Sequence, residues 1–177
     1  AAAAVPARLL AVKAGETALD LCAAPGGKTL QLAAAGAEVV ALDRSEARLK
    51  RLRQNFERMN LKAEVVAVPA EDWEDDRAFD AVLLDAPCTA TGTFRRNPEV
   101  LRATKPADVA KLADVQHRLL DAAAERVRPG GRLVYCVCSL EREEGETQVI
   151  AFLRRTPAFR TTPAVPAVIG APEEALT

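Results

Sequence analysis

Several features that would fix a functional class are missing from this chain of 177 residues. The glycine pattern G-x-G-x-x-G of dinucleotide-binding proteins does not occur, and Lys28 lacks the upstream glycine of a phosphate-binding loop. The only histidine, His117, falls within a predicted helix, where we expect a structural or exposed role. These absences argue against a nicotinamide or nucleoside-triphosphate site.

The chain also has no strong charge bias and no long apolar run. Its 24 basic and 25 acidic side chains give a net charge of -1, so contact with nucleic acid needs a local patch or another part of the protein. No apolar run approaches the length of a membrane span, and the alanine-rich start does not resemble a secretory signal. We expect a monomeric cytoplasmic protein without a membrane partner.

The cysteines indicate a reducing compartment rather than disulfides, since four of them occur without a secretory signal. A single residue separates Cys136 from Cys138, whereas zinc knuckles need two, so we expect no metal site. Alternation places Cys136 inside a strand, where a cysteine is usually a small core residue.

The most informative stretch is Thr17 to Lys28, which reads T-A-L-D-L-C-A-A-P-G-G-K. Ala18–Cys22 predicts a buried strand, Pro25-Gly26-Gly27 a turn, and Lys28–Ala35 a helix. A strand, a glycine turn and a helix in this order open a nucleotide-binding α/β unit. Glycine lets the backbone approach a ligand, and the helix start offers free N–H groups. A turn used only for chain reversal is the alternative.

A carboxylate follows the next predicted strand. Val39–Leu42 is an apolar run that ends at Asp43, which can accept hydrogen bonds from both hydroxyls of a ribose. Because no phosphate site is recognisable, the pattern predicts a nucleoside ligand such as S-adenosylmethionine.

Strand and helix patterns alternate along the whole chain. The remaining predicted strands are Ala63–Val68, Phe79–Leu84, Leu133–Val137 and a weaker Phe159–Thr162. This order predicts an α/β fold with a doubly wound, mostly parallel sheet. We expect one catalytic domain over residues 1–162 and a loose tail over residues 163–177. Glu141–Glu146 should form the acidic first turn of a helix.

Ligands of such sheets bind beyond the carboxyl ends of the strands, where several reactive side chains should meet. They are Cys22, Asp43, Asp72, Asp85, Cys88 and Cys138. A thiolate there can add to carbon 6 of a pyrimidine, which makes carbon 5 nucleophilic enough to take a methyl group from a sulfonium. A second thiol or a carboxylate can then remove the carbon 5 proton. Cys88 and Cys138 can supply both roles, and the residue pattern leaves open which does which.

Two further features have alternative interpretations. Asp85 precedes a proline at a predicted strand tip, where it can hold a cytosine edge or the cofactor, or simply form a turn. Arg95 and Arg96 lie in the long polar loop Thr89–Pro106, where they can bind RNA phosphates or form a solvated basic pair.

Four stretches in this order resemble the Sun/Fmu family of RNA cytosine-5 methyltransferases. They are Leu21–Thr29, Leu84–Cys88, Ala90–Gly92 with Arg95–Pro98, and Tyr135–Ser139. The resemblance covers about residues 1–159 and implies a Rossmann-like class I methyltransferase fold that uses S-adenosylmethionine. It also implies that Cys138 is the nucleophile and that Cys88 assists proton loss and product release. The implied cofactor residues are Cys22, Ala23, Ala24, Pro25, Gly26, Gly27, Lys28, Asp43 and Asp85.

The chain departs from the family pattern at three points. Val137 stands where the family usually has threonine. Pro69 aligns with an acidic residue near the adenine, so we expect Asp72, or else Glu71, to take over that contact. The family's RNA-binding N-terminal region and last hairpin strand are not visible, so we expect a catalytic core of a longer protein that lacks the last strand.

These observations together predict methyl transfer from S-adenosylmethionine to carbon 5 of a cytosine in RNA, and ribosomal RNA in particular. Cys138 would attack carbon 6, Asp85 would hold the base edge, and Cys88 would help remove the proton. One alternative is a cofactor-binding module without catalysis of its own, which needs an RNA-binding region outside this chain. A nicotinamide-dependent oxidoreductase is a weaker alternative.

Overall fold

The computed structural model describes residues 2–163, which form one α/β unit. Its strands are β1 (Thr17–Asp20), β2 (Glu38–Asp43), β3 (Glu64–Ala67), β4 (Phe79–Asp85) and β5 (Val127–Cys136). Its helices are α1 (Val5–Leu10), α2 (Gly27–Ala34), α3 (Glu46–Arg58), α4 (Val100–Ala103), α5 (Pro106–Glu125) and α6 (Glu146–Arg155). Within this range, none of the helices combines the length and apolar character that crossing a bilayer requires.

The five strands form a single parallel sheet in the order β3-β2-β1-β4-β5. The central strand β1 places Leu19 beside Val40 of β2 and Val82 of β4. Parallel neighbours need crossover connections, which the intervening helices supply. The predicted fold class is therefore confirmed.

Helices cover both faces of the sheet, so the central strands are buried on both sides, as parallel sheets usually are. On one face, Leu19 and Leu84 pack with α5 and α6 through Leu120 and Phe152. On the other face, α1 and α2 pack on Ala18 and Leu83, and α3 packs on Ala41. Alternation along each strand thus divides the apolar side chains between two layers.

Three predicted elements differ from the structure by more than two residues. The prediction of a strand over Phe159–Thr162 was wrong, because Phe159 closes a turn onto Thr156 (N–H to O, 3.0 Å) and packs its ring against Phe152 at 5.2 Å. In residues 2–163 no strand follows β5. β5 also begins at Val127, before the Pro-Gly-Gly sequence, which shifts the register against β4. Finally, α6 begins at Glu146, because residues 141–145 form turns.

Candidate active site

The sheet brings the ends of four strands to one edge, and the predicted site residues follow them. Asp20 ends β1 and is paired with Ala41 and Leu83 of the flanking strands. Asp85 ends β4 beside Cys136 of β5. The turns that carry the glycines, Cys88 and Cys138 leave from this edge. The structure thus brings Cys22, Asp43, Asp85, Cys88 and Cys138 to one edge as predicted, whereas it shows no contact of Asp72 with them among the described residues.

Residues 22–28, here called the glycine bend, are packed on one side and open on the other. Gly26 has a positive φ of 99°, and a Cβ atom there would lie 3.0 Å from Leu52 Cγ of α3. The neighbouring Gly27 is exposed, and no heavy atom lies within 4 Å of its Cβ position. Burial raises the pKa of Cys22 to about 12, which disfavours its thiolate. The open side leaves room for a ligand beside the backbone.

Asp43 connects the glycine bend to the start of α3. Its carboxylate is almost wholly buried and accepts hydrogen bonds from the N–H groups of Ala24 (3.2 Å) and Ser45 (2.9 Å). Arg48 lies 3.3 Å from the same carboxylate and also donates to the Ala24 carbonyl. No pattern in the sequence indicated this contact of Arg48. Asp43 therefore orders the bend, and its ribose role stays a prediction.

Lys28 and Asp85 join the glycine bend to β4. Lys28 Nζ lies 2.5 Å from Asp85 Oδ2, and the thiol of Cys136 lies 3.3 Å from Asp85 Oδ1. Partial burial disfavours the charge on Lys28, but the hydrogen bond and attraction of Asp85 outweigh it, so the pKa of Lys28 is raised. Cys136 is half-buried against Ala81 and Leu83, and burial raises its pKa. It is therefore a packing residue with one polar contact.

The two predicted catalytic thiols face each other. Cys88 Sγ and Cys138 Sγ are 3.4 Å apart, with Cys138 exposed and Cys88 half-buried. The hydrogen bond between them lowers the pKa of Cys138 to about 6 and, together with burial, raises the pKa of Cys88. The hydrogen bond therefore favours the thiolate at Cys138, the more exposed of the two sulfurs, with Cys88 as the protonated partner. This asymmetry makes Cys138 the better nucleophile of the two.

Other predicted residues lie on the surface. Asp72 is exposed at the end of a short 3-10 helix, and Glu71 lies 3.8 Å from Arg118 of α5. Arg95 and Arg96 are exposed in the loop after β4. Their predicted contacts, with the cofactor and with RNA, stay predictions. His117 is exposed and lies 3.6 Å from Asp121, in agreement with the expectation for it.

The sequence did not reveal the polar residues beneath the two thiols. Glu144 was expected in the acidic first turn of a helix, but it lies in a turn before α6 and its side chain is fully buried. It accepts hydrogen bonds from Thr89 and from Gln116 of α5. The partners lie 55 and 28 residues away along the chain, so periodicity carries no signal for them.

Comparison with known proteins identifies the family. Residues 7–170 match the family model described as 16S rRNA methyltransferase RsmB/F. Ribosomal RNA small subunit methyltransferase B of Vibrio cholerae is 45% identical over 175 residues, which is 96% of this chain and 40% of that protein. The present chain thus spans less than half of this relative.

Two solved structures from Pyrococcus horikoshii agree with this assignment. NSun6, solved with SFG, has a TM-score of 0.81 and 32% identity, over 96% of this chain and 45% of its own. A methyltransferase homolog protein has a TM-score of 0.76 and 35% identity, over 87% of this chain and 50% of its own. The fold, the order of the motifs and these matches show that the chain belongs to the RsmB/F family of 16S rRNA methyltransferases.

Proposed function

We propose that this chain carries the catalytic centre of an enzyme that methylates carbon 5 of a cytosine in ribosomal RNA, with S-adenosylmethionine as methyl donor. The observation that carries the proposal is the 3.4 Å contact between Cys88 Sγ and Cys138 Sγ, at the same sheet edge as the glycine bend. The family assignment supports the RNA substrate. The neighbour solved with SFG, an analogue of S-adenosylmethionine, supports the donor.

The residues at the edge suit a nucleoside-containing donor. The bend is open at Gly27, and the side chain of Asp85 is 38% exposed beside Lys28. We propose that the bend, Asp43 and Asp85 hold the donor, and that Asp72 or Glu71 reaches its base. When bound, S-adenosylmethionine supplies an electrophilic methyl group on a sulfonium.

The protein's part in the reaction follows from the asymmetry of the thiol pair. The Cys138 thiolate forms a bond to carbon 6 of the cytosine, and the electron pair displaced to carbon 5 takes up the methyl group. Asp85 accepts a hydrogen bond from the base edge. Once Cys138 is bonded to carbon 6, it no longer accepts the hydrogen bond that raises the pKa of Cys88. Cys88 then loses its own proton to solvent, and the resulting thiolate takes the carbon 5 proton. The electron pair of the broken C–H bond re-forms the double bond between carbons 5 and 6 and expels the Cys138 thiolate.

We propose that Arg95 and Arg96 contact RNA phosphates. Both are exposed in the segment after β4 that also carries Cys88, seven and eight residues beyond that thiol, and arginine is a common ligand of RNA phosphates. The chain as a whole is nearly neutral, which makes such a local pair the expected form of contact.

Two cysteine variants test the proposed reaction in a protein that carries this chain together with the further region of its relatives. Cys138→Ala should abolish methylation of ribosomal RNA. Cys88→Ala should accumulate a covalent protein–RNA adduct on denaturing gels, because methylation proceeds but release fails. The double variant is the control and should form no adduct. Methylation by Cys138→Ala would refute the assignment of Cys138 as the nucleophile. Absence of an adduct in Cys88→Ala would refute the role of Cys88 in product release.

The same experiment separates the alternative of a binding module. Calorimetric binding of S-adenosylmethionine without any methylation, in the protein that includes the further region, would favour the module. Methylation that depends on Cys138 would exclude it.

A further inference from the structure

A buried carboxylate lies beneath the two thiols. Glu144 is fully buried in the segment between β5 and α6. Its Oε1 accepts hydrogen bonds from the Thr89 N–H (2.9 Å) and from Gln116 Nε2 (3.1 Å), and its Oε2 accepts from the Thr89 hydroxyl. Every partner is a donor, which matches a carboxylate, since a carboxylate only accepts.

The donors to Glu144 fix the direction of a chain of hydroxyl groups. The Thr89 hydroxyl donates its only proton to Glu144. The Ser139 hydroxyl, 3.2 Å away, must therefore donate to the Thr89 oxygen. Thr91, 3.1 Å from Ser139, must then donate to Ser139, and its own oxygen accepts the Leu140 N–H at 2.9 Å. All three hydroxyl protons therefore point towards Glu144, and reversal of the chain would leave its carboxylate short of a donor.

This chain of hydroxyls spans the two loops that carry the thiols. Thr89 directly follows Cys88, and Ser139 directly follows Cys138, although 50 residues separate them in the sequence. Hydrogen bonds to a charged group are among the stronger contacts in proteins. We propose that Glu144 is a positioning residue that holds Cys88 and Cys138 at contact distance through Thr89 and Ser139. The proposal rests on the proposed function only in taking these thiols as the catalytic pair.

The distance between the two thiols affects a measurable quantity, the pKa of Cys138. The hydrogen bond from Cys88 is the main cause of the lowered pKa of Cys138, against the opposing effects of burial and of Asp85. Lys28 adds a smaller lowering effect. If the loops separate, the pKa of Cys138 should return towards the ordinary thiol value of 9.0.

The test is the pH dependence of Cys138 alkylation by iodoacetamide in the full 177-residue chain, read at peptide level by mass spectrometry. Glu144→Ala should raise the midpoint of Cys138 alkylation by about two pH units, which would slow alkylation roughly tenfold at pH 7. Glu144→Gln keeps the shape and can accept with its remaining oxygen, so it should restore much of the low midpoint. Glu143→Ala, at an exposed neighbouring glutamate, is the matched control and should not move it.

A role limited to stability would lower the free energy of unfolding and leave the midpoint unchanged. A folded Glu144→Ala variant with a wild-type midpoint would therefore overturn the proposal. If that variant does not fold, the proposal is tested with Thr89→Val and Ser139→Ala, because each removes one hydroxyl and leaves Glu144 with other donors. Each should raise the midpoint by a smaller amount, and no rise in either would overturn the proposal. Alkylation needs neither RNA nor methyl donor, so its outcome is separate from that of the methylation experiment.

Discussion

The glycine bend and the thiol pair each adjoin a buried carboxyl group, Asp20 and Glu144 respectively. The two carboxyl groups differ in the number of hydrogen-bond donors that they have. Asp20 is 1% exposed, and its Oδ2 accepts one hydrogen bond, from the Thr29 hydroxyl at 2.8 Å. Its Oδ1 has no partner among residues 2–163. Glu144 is 0% exposed, but its carboxylate accepts three hydrogen bonds. The comparison shows that the number of donors, rather than burial, distinguishes a buried acid that orders its surroundings from one that the fold tolerates.

Because Asp20 has only one hydrogen-bond donor, burial changes its pKa strongly. Burial raises its pKa from 3.8 to about 7, and the hydrogen bond from Thr29 only partly opposes this. The negative charge of Asp85 raises the pKa further, whereas Lys28 lowers it. The folded state therefore favours the neutral, protonated form of Asp20.

The largest predicted effect is a pH-dependent cost at Asp20. The pKa of Asp20 is higher in the folded state than in the unfolded state. Its favourable contribution to the free energy of unfolding is therefore fully present below pH 3.8 and is lost as the pH rises to about 7. The shift of about three units corresponds to roughly 4 kcal/mol. Asp20→Asn keeps an acceptor for Thr29 and does not titrate. In urea unfolding, the stability of this variant relative to wild type should rise by that amount between pH 4 and pH 7 and then level off.

A matched control separates this effect from the titration of other groups. Asp114→Asn makes the same chemical change at an exposed aspartate and is the reference against which the pH dependence of Asp20→Asn is measured. A pH-independent stability difference for Asp20→Asn would mean that Asp20 ionises as easily in the folded chain as in the unfolded one, contrary to this prediction.

The two regions also use glycine for different reasons. Gly26 in the bend needs a positive φ of 99°, and the atoms nearest its Cβ position belong to the flexible side chain of Leu52. Gly92 beside the thiols needs space, because a Cβ atom there would lie 2.8 Å from the backbone carbonyl oxygen of Cys138. The Gly92 N–H also donates to that oxygen at 3.0 Å. One glycine is required by conformation and the other by contact with the nucleophile's own backbone.

The second prediction concerns Gly92→Ala. Relief of the clash requires the Cys138 backbone to move, so we expect a loss of about 2–3 kcal/mol in the free energy of unfolding. The same movement should separate the sulfurs and raise the midpoint of Cys138 alkylation. Urea unfolding and alkylation of one sample measure both. A loss of stability with an unchanged midpoint would show that this backbone contact does not set the distance between the thiols.

The comparison also explains what the sequence could reveal. The glycine bend is encoded locally, since strand, turn and helix follow one another within residues 17–35, and the sheet follows from repeated apolar runs. The Glu144 contacts join loops that are distant in sequence, and Thr89 and Ser139 look like ordinary polar loop residues. Phe159 was misassigned for a different reason, because a partly buried ring in a turn has the same local pattern as a short strand. Contacts set by tertiary packing leave little trace in one sequence.

The smallest predicted effect separates the conformational and steric roles within the bend itself. Gly26→Ala places a side chain in the left-handed region and should lower the free energy of unfolding by about 1–2 kcal/mol, since Leu52 can shift. Gly27→Ala lies at a helix start with open space around it, so stability should be equal or slightly higher. If the donor lies against the open side, Gly27→Ala should nevertheless weaken calorimetric binding of S-adenosylmethionine. Unchanged binding in that variant would place the donor elsewhere on the edge, whereas unchanged stability in Gly26→Ala would show that the bend tolerates its conformation without glycine.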